Sequence, residues 1–163
     1  MRPPFFSKAL ALASFLRAVE RCPEVASTVF LNDAPIPVDT LKVMNESGEV
    51  INESGLGLVP SYRKAISISV AGHWPTGDVV YLSEDNYLFT REAFSSLALA
   101  DREMPEASYF AFCATLSEND ERSAPEASKG RVLTDGRRWQ RAESTTSSFG
   151  ARVSTLRSDR SFH

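Results

Sequence analysis

An α/β layer fold in one domain spanning 1–163, with a mostly parallel sheet flanked by helices, is what this sequence predicts. Three observations carry that expectation. Segments of helical period alternate with short, continuous apolar runs such as "DVVYLS" (78–83), and continuous runs mark strands buried on both faces. Helix and strand in repeated alternation imply parallel strands joined by crossover helices. The length, 163 residues of which 42% are hydrophobic, suits one ordinary domain.

The elements follow in order. Ser7 stands after the Pro3-Pro4 breaker and is placed to cap a helix carrying Leu10, Phe15, Leu16 and Val19, which Pro23 ends. A signal peptide is the competing reading of this stretch. The apolar run between Lys8 and Arg17 is only about 8 residues long and no small-residue cleavage site follows, so an amphipathic helix is preferred. "VASTVFLND" (25–33) reads as a buried strand rich in β-branched residues. Residues 34–59 are polar and Gly-containing, with a weak strand expected around Leu41–Met44; the echo of "NESGEV" in "NESGLG" is too short to mark a repeat. "PSYRKAISISVAGHW" (60–74) predicts a helix ending near Gly72, with Pro75-Thr76-Gly77 as a turn. After "DVVYLS", "TREAFSSLALADREM" (90–104) predicts a helix with Thr90 as N-cap and Pro105 as terminator. "ASYFAFCATL" (107–116) predicts another buried strand, 117–131 a mobile loop, and Phe149–Leu156 a short helix.

Composition narrows the function classes. A net charge of -3 gives no reason to expect a nucleic-acid partner. The charge is uneven, however: residues 1–128 hold 10 basic against 18 acidic side chains, and residues 129–163 hold 8 against 3. Cys22 and Cys113 lie far apart without metal spacing and read as free thiols of a reducing compartment. No apolar run reaches the roughly 20 residues that span a bilayer, and a cytoplasmic location is expected.

Two of the expected strands end in acids, "VFLND" at Asp33 and "VVYLSED" at Glu84 and Asp85. In open α/β sheets, ligands sit beyond the carboxyl ends of the strands. Carboxylates there are costly to desolvate unless a cation meets them, and hard oxygen donors suit magnesium or manganese held by a diphosphate. The competing role for Glu84 and Asp85 is structural: they would cap the following helix in the field of its N-terminus. For Asp33 it is an Asx-turn ahead of Pro35. Arg63 either meets a phosphate with its fork of donors or lies solvated beside Lys64.

The succession "FFSKALALASFLRA", "VFLND", "GLGLVPSYRKAISISV", "GDVVYLSEDNYLF", "STTSSFGARVSTLRSD" resembles glycosyltransferases of the GT-A fold and family-2-like kind. The likeness is greatest to a bacterial subgroup with an "EDDYL" form of the metal-binding DXD element, here Glu84-Asp85-Asn86-Tyr87-Leu88. That subgroup also has a Ser-aromatic-Arg helix start, here Ser61-Tyr62-Arg63. Its downstream Ser-Thr-Thr run is Ser144-Thr145-Thr146 here, followed by Phe149 and Arg152. Each motif alone is weak, but their order and spacing cover nearly the whole chain.

The resemblance implies transfer of a sugar from a nucleoside diphosphate sugar to a glycan, lipid or small-molecule acceptor. It makes Asp33 the acid beside the base or ribose, with Ser61, Arg63, Glu84 and Asp85 completing the donor site. Asp85, Glu84 and Asn86 become the ligands of Mg2+ or Mn2+, weakened because Asn86 stands where the subgroup has a third acid. An inverting transferase needs a carboxylate base, and Asp120 in "SENDERS" and Asp159 in "RSDRSF" are the candidates by position. Against the family pattern the domain is expected to be incomplete at both ends. No strand precedes "MRPPFFSK", and 78 residues follow Asp85. The alternative function is therefore a truncated or non-catalytic relative that binds a nucleotide sugar or a partner without turnover. The basic C-terminal segment is expected to meet the diphosphate, an anionic acceptor or the inner face of a membrane.

Overall fold

Ser7 caps the first helix as its position predicts: its hydroxyl accepts the Leu10 N–H at 3.1 Å, and α1 runs over Lys8–Glu20. The computed structural model describes residues 4–112, 130–140 and 148–159. After α1 come β1 (Val29–Asn32), α2 (Val38–Ser47), β2 (Glu49–Asn52), α3 (Leu58–Ala71) and β3 (Val79–Leu82). They are followed by α4 (Ala93–Glu103), β4 (Tyr109–Phe110), β5 (Arg131–Val132), β6 (Arg138–Trp139), β7 (Phe149–Arg152) and α5 (Val153–Ser158).

The α/β class holds, but the mostly parallel sheet does not form among the described residues. β1 and β2 make one parallel pair. β3, β7 and β4 form a separate sheet with β7 in the middle, antiparallel to both neighbours, and β5 and β6 form a small antiparallel ribbon. The parallel expectation fails because the helix assigned to Phe149–Leu156 is half strand. Phe149, Val153 and Leu156 have helical spacing, yet Phe149–Arg152 is bonded along both edges, and only Val153–Ser158 is helical. Two ladders outweigh a local periodicity. Gly150 makes the central place possible: a Cβ there would come within 3.2 Å of the Tyr81 ring and 3.3 Å of Val79.

Three further expectations need correction. Leu41–Met44 belongs to α2, where Leu41 and Met44 are half-buried at helical spacing, and the β-branched Val50-Ile51 forms the strand instead. Thr90 does not cap α4. Its carbonyl accepts the Ala93 N–H in a preceding turn, and the helix begins two residues later than expected, after Glu92. Of the loop expected over 117–131, residues 117–129 lie outside the described residues, while Arg131 is already paired in β5.

Alternation along β3 sorts the core into two layers. Val79 and Tyr81 pack with Phe94, Leu97 and Ala100 of α4 and with Ala18 of α1. Val80 and Leu82 face the other way, onto Phe149, Leu156 and Tyr62. The sheet is thus covered by α1 and α4 on one side and by α3 and α5 on the other, the two-faced burial that its apolar run predicts. Cys22 is a free, buried thiol within the first layer, and burial raises its pKa; Cys113 lies outside the described residues. No helix among the described residues is long and apolar enough to cross a membrane.

Candidate functional site

Asp33 follows the last residue of β1, and α3 begins after a loop in which Gly55 and Gly57 hold φ of +74° and +73°. Such left-handed angles are open to glycine at little cost and strained for most other residues. The two glycines fold the loop back: the Gly55 N–H donates to the Asp33 carbonyl at 3.2 Å, and the Ser61 N–H donates to the Gly57 carbonyl at 3.0 Å. The outcome is a direct bond between two expected site residues 28 positions apart. Ser61 donates its hydroxyl proton to the Asp33 carboxylate at 2.8 Å. Arg63 points to solvent, and its neighbour Lys64 pairs with Glu53 at 2.6 Å.

Glu84 emerges from the end of β3 nearby. Its backbone N–H donates to the buried Ser148 hydroxyl at 3.1 Å, which anchors the turn to the start of β7. The Tyr62 phenol is pushed above its ordinary pKa, first by burial and second by the negative charge of Glu84.

Glu84 and Asp85 do not cap α4, whose N-cap is Glu92 and whose first turn holds no acid. The Asp85 carboxylate instead meets the Lys8 ammonium of α1 at 2.5 Å, with the two side chains 58% and 72% exposed. Asn86 donates from Nδ2 to Glu84 Oε2 at 3.3 Å. The donor chemistry of these three residues suits a hard divalent cation, but Asp85 is turned to Lys8, and Glu84 and Asn86 to one another. Among the described residues no three or more His, Cys, Asp or Glu side chains are gathered to hold a metal ion.

No family model, curated protein or solved structure matches this chain.

The expected base Asp159 ends α5 with its carboxylate accepting the Tyr109 hydroxyl at 2.5 Å. Tyr62, Phe149 and Tyr109 form a row, with ring centroids 6.4 and 5.7 Å apart, that runs from the Glu84 end of the site toward Asp159. Asp120, like Ser144, Thr145 and Thr146, lies outside the described residues. Lys8, Ser148 and Tyr109 are contributors that sequence reasoning missed. A lysine after an N-cap and a serine before a strand carry no local signal of partners 77 and 64 residues away.

The Tyr109–Asp159 bond makes a pH prediction. Burial, then the bond to Asp159, raises the Tyr109 phenol from its ordinary value of 10.0 to about 12. The unfolded chain thus loses this proton first, so the contribution to stability is complete below pH 10 and falls as pH rises toward 12. Thermal melts between pH 9 and 12 should show this decline in the native protein and a shallower one in Tyr109→Phe. Equal slopes in both proteins would show that Asp159 does not hold that proton.

Three of the described basic C-terminal residues bond backbone carbonyls, while Arg131 pairs with Glu106 at the surface. Arg157 donates to the carbonyls of Val70 and Gly72 at 3.3 and 2.9 Å. Arg137 donates to the Glu92 carbonyl at 3.0 Å, and Arg152 to three carbonyls. These forks close the ends of helices and loops, a use of arginine that a charge count does not distinguish from ligand binding.

Proposed function

We propose that the protein binds a nucleoside diphosphate sugar across the ends of β1 and β3, and that it is a glycosyltransferase with a GT-A-like domain. The Asp33–Ser61 hydrogen bond carries this reading, because a carboxylate fixed at a strand end by a helix hydroxyl is ready to accept from a ribose or base. Its second oxygen keeps lone pairs for a ligand. Glu84 and Asp85 lie at the end of the other strand, where a diphosphate would bring Mg2+ or Mn2+ as its counter-ion. Asp159, whose carboxylate accepts the Tyr109 hydroxyl, would serve as the base for a glycan, lipid or small-molecule acceptor.

One observation favours a second reading, binding without turnover. Lys8 already neutralises Asp85, and Asn86 is spent on Glu84, so a metal must displace an ammonium to reach its ligand.

Thermal unfolding with uridine, guanosine and thymidine diphosphates plus manganese tests the shared donor site. A nucleotide at 100 times its Kd stabilises by about 2.7 kcal/mol. We expect one of the three to raise Tm at millimolar concentration, and Asp33→Ala to abolish the rise. No rise with any of them, in protein shown to be folded by circular dichroism, overturns the donor site. A rise without hydrolysis or transfer from the matching nucleotide sugars selects the second reading.

A further inference from the structure

The exposed apolar side chains of this protein gather at one end, which the chain direction defines. α1 begins beside Asp85, beyond β3, and β1 runs back against it with Phe30 meeting Phe15 edge to face, so the carboxyl ends of β1 and β3 lie together. β1 and β2 are parallel, so α2, which joins them, starts at that end. The Ser61–Asp33 hydrogen bond ties the start of α3 to it as well. Among the described residues, Phe5, Leu10, Val38, Leu58, Val59 and Leu88 are large, exposed hydrophobics of this end; Val43 and Val132 lie away from it. Val38 is 81% exposed and Leu58 76%, each at the first position of its helix. Single exposed apolar residues are ordinary on a protein surface, whereas a group of them marks a contact surface.

Each tip has a cation behind it. Phe5 stands three residues ahead of Lys8, Val38 four ahead of Lys42, Val59 four ahead of Arg63, and Leu88 three ahead of Arg91. On α2 and α3, residues four apart share a face, and the cation sits about one turn deeper along the axis. Lys42, Arg63 and Arg91 are exposed, and their side chains hold no ion pair among the described residues. The acids of this end are placed differently. Asp33 and Glu84 are half-buried at the strand ends, which the helices flank. Asp85 is paired with Lys8 and Glu53 with Lys64, while Asp39 stands beside Val38 in the first turn of α2.

We infer that this end of the fold is a membrane-contact surface, in which the apolar tips enter a bilayer carrying anionic lipid and the cations behind them meet the lipid phosphates. The order of the groups favours a bilayer over a protein partner. A protein interface buries an apolar centre inside a polar rim. Here carboxylates hold the middle, on the strand ends, and the apolar tips stand around them on the helices. A bilayer suits that order because separate tips sink into it independently and need no matching relief. Interfacial apolar groups go about 5–10 Å into the boundary between head groups and acyl chains. A cation one turn behind such a group is left near the phosphates, with its stem along the apolar layer and its head toward water. Lys42, Arg63 and Arg91, which no acid neutralises, supply the charge complementarity to anionic lipid. This surface is distinct from the C-terminal arginines, three of which are engaged with backbone carbonyls. Such contact needs no nucleotide, and its test is independent of the donor site.

The test is flotation of the full chain with phosphatidylcholine vesicles containing about 30% phosphatidylserine. The protein should float with these vesicles, and less with phosphatidylcholine alone. Leu58→Ser combined with Val59→Ser should lower binding to both by about tenfold or more, since the tips enter either bilayer. Lys42→Gln and Arg91→Gln should each lower it about fivefold on the mixed vesicles and hardly at all on phosphatidylcholine. Val132→Ser, which removes an exposed apolar side chain from β5, should change neither. All these positions are exposed, so circular dichroism should show the native fold in each variant. No flotation of the native chain overturns the inference. So does flotation that the Leu58 and Val59 changes leave unmoved, or that Val132→Ser lowers as much, because the contact then lies on another face. Self-association that the Leu58 and Val59 changes weaken, without flotation, would assign the tips to a second copy and overturn it as well.

Discussion

Replacing Arg152 with alanine is expected to destabilise the protein by about 2–4 kcal/mol, below the 3–5 kcal/mol of a fully buried pair because both partners retain some water. The Arg152 and Asp101 side chains are 19% and 27% exposed, and Nη2 lies 2.6 Å from Asp101 Oδ1. That oxygen is buried and makes no aligned hydrogen bond, so the contact is ionic and Arg152 is its counter-charge. The same guanidinium donates to the carbonyls of Pro105 and Ala107 at 2.9 Å each and to that of Asp101 at 3.2 Å. It thereby joins the end of β7 to the last turn of α4 and the turn before β4. Truncation leaves a part-buried carboxylate and up to three carbonyls to find water. Arg152→Lys should recover only part of the loss, since an ammonium has no planar fork with which to span these acceptors. Asp101→Asn should make Arg152→Ala less costly, because no charge is then stranded. Urea melts of the native protein, the three single variants and the Asp101→Asn/Arg152→Ala double variant give the comparison. A loss under about 0.5 kcal/mol for Arg152→Ala, the range of ordinary surface changes, would show that the latch does not contribute.

Arg152 also shows where reading the sequence stops. Its place after an aromatic residue in "SSFGARV" is what made it part of a functional resemblance, and the same place makes it the last residue of a central strand. Local chemistry carried far: the Ser7 cap, the apolar runs of β1 and β3, the termination of α3 at Gly72 and the acids at two strand ends are all where spacing puts them. Pairing was not legible. Phe149, Val153 and Leu156 fit a helix until β3 and β4 claim the first half, and nothing within twenty residues announces that competition. The site divides in the same way. Asp33 and Ser61 are separate candidates in the sequence and touch in the fold, because the glycines between them turn the loop. The partner of Asp85 was invisible, since Lys8 belongs to a helix 77 residues earlier and binds through the tertiary course of α1 alone.

That lysine sets the second large effect. Asp85→Ala is expected to abolish metal-dependent nucleotide binding while changing stability by no more than about 0.5 kcal/mol, because an ion pair this exposed contributes little. Lys8→Ala should act in the opposite sense. Removing the ammonium 2.5 Å from the carboxylate frees Asp85 and deletes a positive charge beside the incoming cation, so manganese should bind several-fold more tightly. Asn86→Asp should also tighten it, by replacing a neutral amide with an anionic oxygen and by ending the amide's bond to Glu84. With both changes the gains should combine less than additively, since the two sites share neighbouring ligands. Calorimetric titration of manganese, with and without the nucleotide found by thermal unfolding, resolves each effect; urea melts confirm that the fold is intact. Manganese affinity unmoved by Lys8→Ala and by Asn86→Asp alike would remove the metal from the site. It would also reduce Glu84-Asp85-Asn86 to a surface turn tied to α1. Tightened metal binding without turnover in the doubly changed protein would place the missing chemistry elsewhere, with the base rather than with the cation.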